Sequence, residues 1–113
     1  GAGPVNFTHR NCVCTVYDGL PEELRARMLQ PYVDRLCLEM GEGAREVVRT
    51  AEKLIQYGFH YERAAEELFV HKNTIAFRKR KLDDCLGLDP KGNSNDLLLL
   101  ALILQQYWQS EQE

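Results

Sequence analysis

Between His71 and Lys81 the chain reads HKNTIAFRKRK. These eleven residues hold five cations (Lys72, Arg78, Lys79, Arg80, Lys81) and no acid. The whole chain is mildly acidic, with 14 Lys and Arg against 17 Asp and Glu and a net charge of −3. Positive charge concentrated in one window suits a polyanion, and its distribution decides more than the sum. The uncharged neighbours suit the same partner. The Asn73 amide can pair bidentately with N6 and N7 of adenine. Phe77 can meet a thymine methyl, or else pack against the preceding helix. Lys81 and Arg78 suit phosphates, which orient a protein on a duplex without reading its sequence. Lys72 and Thr74 can add side-chain contacts at a helix N-terminus, where free N–H groups and the helix dipole favour an anion. His71 stands where an N-cap is expected. Capping through a ring nitrogen is its simpler role, and a base or phosphate contact is the other.

The elements that position these residues are legible around them. Glu62 to Phe69 is a short helical phrase with small residues at Ala64 and Ala65, and Leu68-Phe69-Val70 forms an apolar pin. A turn at His71-Lys72 leads into a second helix, Lys72 to Leu86, closed by Gly87. Small residues allow close approach of two helices, and the pin fixes their angle. This is the pattern of a helix-turn-helix, over about 61–86, whose second helix enters the major groove. On a wheel anchored at Ile75, Leu82 and Leu86 share the inward face. Asn73, Phe77 and Arg80 lie opposite, flanked by Thr74 and Lys81. Lys79 falls about 40° from the buried centre at 100° per residue, so its stem is expected to cover the core while its ammonium reaches solvent.

The run Ala64-Ala65-Glu66-Glu67-Leu68-Phe69-Val70-His71-Lys72-Asn73-Thr74-Ile75, followed by Phe77-Arg78, resembles the "tAe-Lf-vHrNTl-yR" signature of the C-terminal DNA-binding domain of PucR/CdaR-type bacterial transcriptional regulators. Thr50-Ala51-Glu52-Lys53-Leu54 with Gly58 resembles that family's "TL--yl--g" helix. Leu86-Gly87-Leu88-Asp89 is similar to its "tG-d", and the Leu97–Leu104 run to its closing "L-LAL-L". The likeness spans roughly 20–107, and a more distant one joins Fis-type DNA-bending proteins. It implies a helix-turn-helix domain that binds double-stranded DNA, and the small footprint of one recognition helix makes a homodimer the expected arrangement. It also implies effector sensing by upstream domains, no cofactor and no catalysis. Five positions depart from the pattern. Lys79 replaces an apolar residue, Ala76 an Arg, Lys72 an Arg that could read guanine bidentately, and Phe59-His60 an Asn-type turn.

Elsewhere the expectations are simpler. Cys12-Val13-Cys14-Thr15-Val16-Tyr17 is rich in β-branched and aromatic residues and reads as a short strand ended by Asp18-Gly19. A lone strand needs partners, so residues 1–18 are expected to be a tail or strand left from an upstream region. Residues 19–113 form the helical DNA-binding domain. Pro21 suits the first turn of a helix with Glu22 and Glu23, and Leu20, Leu24, Met28 and Leu29 form its apolar stripe. Pro31 breaks that helix, and Tyr32 to Met40 continues. Val47, Val48, Ala51, Leu54 and Ile55 mark a helix over 44–57 that Gly58 ends. Asn93 or Ser94 caps a last helix that runs to about Gln109. The expected fold is thus all-α, a bundle of about five helices with a short N-terminal strand.

The eight-residue apolar run Leu97–Leu104 is far short of the ~20 residues that span a bilayer, and a cytoplasmic protein is expected. The run is apolar around the whole helix and must be covered on most sides. A subunit interface through Leu99 or Ile103, rimmed by Tyr107 and Trp108, is one cover; an intramolecular core is the other. Cys12, Cys14, Cys37 and Cys85 contain no CxxC pair and no His at zinc spacing, so reduced thiols and no bound metal are expected. No nucleophile–base pair or Gly-rich phosphate loop points to an enzyme. Two other readings compete with DNA binding. One is a protein-interaction module that docks the basic helix on an acidic partner. The other is a redox or metal sensor built on Cys12 and Cys14, whose thiols would point the same way on a strand.

Overall fold

The computed structural model describes the backbone of residues 4–112 and the side chains of 12–112. Among these residues seven α-helices follow one another without a strand: α1 (Pro4–Gly19), α2 (Glu22–Met28), α3 (Gln30–Met40), α4 (Ala44–Gln56), α5 (Tyr61–Leu68), α6 (Lys72–Leu86) and α7 (Ser94–Gln112), with a 3-10 turn at Gly41–Gly43.

Helix α4 forms as its periodicity requires. Ala44, Val47, Val48, Thr50, Ala51 and Leu54 are buried along one stripe, the i, i+3, i+4 repeat of a helix with one face in a core. Its end turns through two left-handed residues, Gly58 (φ +62°) and Phe59 (φ +66°). The Phe59 amide donates back to Leu54 O at 2.7 Å, closing the terminal carbonyls. His60 then caps α5, its Nδ1 accepting from Arg63 N at 3.1 Å. Gly87 (φ +69°) ends α6, and Asn93 caps α7 through an Oδ1 that accepts from Asp96 N at 3.1 Å.

Two apolar clusters hold the helices together. The larger joins Leu29, Val33 and Leu36 to Val47, Val48, Leu82, Leu86, Leu100, Ile103, Leu104 and Tyr107. The smaller lies inside the helix-turn-helix. Leu54, Ala64, Ala65 and Ile75 are buried there, covered by Phe59, Tyr61, Leu68 and Val70. Each fully buried Leu or Ile contributes roughly 1.5–3 kcal/mol.

Three expectations change. The Cys12–Tyr17 stretch is helical, not a strand, and lies within α1. Its β-branched residues carry only a weak preference, which packing overrides. Helix α1 lies along α7. Tyr17 is buried in the main cluster, and its hydroxyl donates to Gln106 Oε1 at 2.5 Å. The Arg25 guanidinium sits over its ring at 4.7 Å. On a helix, Cys12 and Cys14 also diverge by about 200° instead of pointing together: Cys12 is exposed, and the Cys14 thiol contacts Gln105 Oε1 at 3.7 Å.

Second, the Leu20–Leu29 stripe is only partly buried. Leu29 is fully enclosed while Leu24 and Met28 stay exposed, because the chain breaks at Leu29 and α3 starts anew with Pro31 in its first turn. Third, the cover of Leu97–Leu104 is largely internal. Leu100, Leu102, Ile103 and Leu104 are buried within the chain, and Leu99 packs against the same cluster. Only Leu98 in the run stays largely exposed. Ile103, one of the two residues expected at a subunit interface, has no exposed surface.

Candidate nucleic-acid interface

The recognition helix α6 is oriented by its buried side. Ile75, Leu82, Cys85 and Leu86 turn into the protein, the first, second and last as the wheel predicts. His71, Lys72, Asn73, Phe77, Arg80 and Lys81 are exposed, while Thr74 is half-buried on the flank. The structure thus brings six of the eight sequence-predicted residues to the surface, with Thr74 at its edge.

Arg78 departs from this surface. It is half-buried, and its Nη1 donates to Thr50 Oγ1 on α4 at 3.3 Å. Thr50 is itself buried and donates to Glu46 O at 2.8 Å. The guanidinium so ties the recognition helix to the helix behind it. Lys79 also turns inward further than expected. Its ammonium stands 6.0 Å from the Phe59 ring and pairs with Asp83 rather than reaching solvent. Burial dominates at that pair and holds the Asp83 carboxyl above its usual range, against the pull of Lys79.

His71 has the capping role. Its Nδ1 accepts from Asn73 N at 3.0 Å, so the ring presents a lone pair at this nitrogen. The Thr74 amide returns to His71 O at 2.9 Å. These bonds occupy N–H groups that a bare helix end would offer to a phosphate, leaving side chains more of the work. Phe77 does not belong to either apolar cluster; it is 56% exposed, and the Lys81 ammonium stands 5.5 Å from its ring.

The charge of α6 runs against its own dipole. The first turn holds Lys72 and no acid, and the last turn holds no base. A cation at the positive end of a helix costs a few tenths of a kcal/mol in isolation, a cost that an anion bound there removes.

Sequence reasoning missed two features. Phe69, read as part of the apolar pin, is the C-cap of α5, left-handed at φ +57° and 94% exposed; Leu68 and Val70 alone form the pin. His60 caps α5, a role that its place two residues past Gly58 and three before Arg63 could have signalled.

Two short helices joined by a three-residue turn, the second capped and presenting a cationic face, define the helix-turn-helix class of domain. A model of the PucR C-terminal helix-turn-helix domain matches residues 47–105, from within α4 to within α7, and the chain belongs to this family. No curated protein and no solved structure matches it. Among the described residues no helix is long and apolar enough to cross a membrane.

Proposed function

We propose that this domain binds double-stranded DNA sequence-specifically and serves as the DNA-binding end of a bacterial transcriptional regulator. The observation that carries this reading is the acid-free outer face of α6, with Lys72 in its first turn and Arg80 and Lys81 exposed beyond it. Asn73 reads a base, Phe77 meets an apolar base edge, and the exposed cations hold phosphates. One such helix has a small footprint. A two-fold dimer that places two of them about 34 Å apart along the duplex doubles it. Upstream domains of the regulator would sense its effector in the cytoplasm.

The test is the salt dependence of binding to a random duplex. Three exposed cations per protomer predict a log–log slope of about −3 per protomer. A slope near zero would overturn DNA binding and favour docking on an acidic protein.

A further inference from the structure

We infer that Phe69 is a further DNA-contacting residue, an apolar probe that the turn of the helix-turn-helix holds out toward the duplex. The inference rests on the DNA-binding reading above. Two independent observations about one residue lead to it. Phe69 has the left-handed backbone at φ +57°, where an added side chain is strained and glycine is the usual occupant. It is also 94% exposed, the most exposed of the large apolar side chains described. A phenyl ring in that state contributes nothing to the fold: it costs strain at the backbone and leaves its apolar area in water. Phe59 shows the contrast. It too is left-handed, but its ring covers the smaller apolar cluster, which compensates the strain within the molecule. The compensation for Phe69 must come from outside.

Its place selects the partner. Phe69 ends α5, and only Val70 separates it from His71, the cap of α6. Val70 turns inward to the smaller cluster, while Phe69, His71, Lys72 and Asn73 are exposed in succession on either side of it. From Leu68 to Leu82 the sequence holds no acid. The ring therefore sits between the exposed Glu66 and Glu67 of α5 and the acid-free stretch that leads into α6, and the cationic side suits a polyanion. A duplex offers apolar matter beside its phosphates in two places: the thymine methyl in the major groove and the deoxyribose edge. Both fit an aromatic ring standing ahead of a recognition helix.

The experiment compares the wild type with Phe69→Asn and Phe69→Tyr, by thermal unfolding and by titration of a duplex selected for tight binding. Asn tolerates the left-handed region, so F69N is expected to unfold at the same or a higher temperature. Its affinity should fall by on the order of tenfold, the scale of one good apolar contact. The loss should appear at every salt concentration with the log–log slope unchanged, since no charge has gone. F69Y should bind as the wild type does. Deoxyuridine in place of thymidine separates the two sources. A loss in the wild type that is absent in F69N marks the methyl, and an equal response of both proteins marks the sugar edge. Undiminished affinity of F69N, beside a wild type that binds with the expected salt slope, overturns the role of Phe69 alone. A wild type without salt-dependent binding overturns the DNA reading and this inference together.

Discussion

Lys81 and Arg78 are both cations of the same helix, three residues apart, and the structure gives them opposite tasks. Lys81 is exposed, with its ammonium beside the Phe77 ring. We predict that Lys81→Ala weakens binding to all duplexes alike and lowers the magnitude of the salt slope by about 1. An unchanged slope would show that Lys81 touches no phosphate. Arg78 bonds to the buried Thr50. Arg78→Ala should lower stability by about 1.5 kcal/mol, the low end of the range for a hydrogen bond to a charged group, and Thr50→Val should lose part of the same energy. Equal stability of R78A and wild type in urea would return Arg78 to the DNA-facing set. Asn73 differs from both. Its backbone amide, not its side chain, takes the His71 cap, so Asn73→Ala should leave the fold intact. It should cost roughly 1–3 kcal/mol on the best site and less on random DNA. Equal losses on the two would remove its base-reading role. Sequence periodicity placed Ile75, Leu82 and Leu86 because their spacing alone sets their direction. It could not place Arg78, which lies about 60° from Ile75 by helical geometry, on the shoulder of the buried face. A long side chain there can reach outward or fold back, and the choice depends on a hydroxyl on another helix.

At the scale of elements, one misreading and one open choice stand side by side. The β-branched letters of Cys12–Tyr17 suggest a strand, and the all-round apolar run of α7 leaves internal cover and a second subunit both open. Helix α1 lies along α7, bonded through Tyr17 to Gln106 and through Cys14 to Gln105, while Val33 and Leu36 of α3 and Val47 and Val48 of α4 share the main cluster with most of the apolar run. The elements whose partners are near in sequence (α4, α5 and α6) were legible. The packing of α1 on α7 spans some ninety residues, and no local pattern encodes it. The substitution that discriminates is therefore not at Ile103. Ile103→Asp should unfold the domain, because a carboxylate would replace a side chain with no exposure, well beyond the 2–5 kcal/mol of a simple truncation. Leu98→Asp, on the exposed side, should fold normally by circular dichroism. A cooperative melt of I103D at the wild-type temperature would contradict this packing.

For the molecule as a whole, alkaline pH tests how closed the main core is. Burial, with Glu39 nearby, pushes the Cys85 thiol up to about 11 from an ordinary 9.0. Its folded pKa exceeds the unfolded one, so the folded state holds the proton longer. The associated stability is fully present below pH 9 and is lost as pH rises through 11. Over this window the loss should approach about 1.4 kcal/mol per pH unit. We predict that the stability gap between wild type and Cys85→Ala narrows from pH 9 to pH 11. A gap that stays constant would mean that water already reaches the thiol. In the native protein near neutral pH, Cys12 should react readily with an alkylating reagent and Cys85 only after denaturation, as their exposures require.

The left-handed residues Phe59 and Phe69 stand at the two ends of the eight-residue α5. Between them only Ala64 and Ala65 are fully buried, with Tyr61 and Leu68 half-buried against the same small cluster. A segment with strained joints and so little apolar area opens before the rest of the molecule does. Amide hydrogens of α5 should therefore exchange with deuterium by local opening, orders of magnitude faster than those of α4 or the middle of α7. Protection of α5 equal to that of α4 would mean that the two unfold as one unit. If α5 does open by itself, bound DNA should slow its exchange more than that of any other helix. The helix-turn-helix would then be a partly loose reader that its own target tightens.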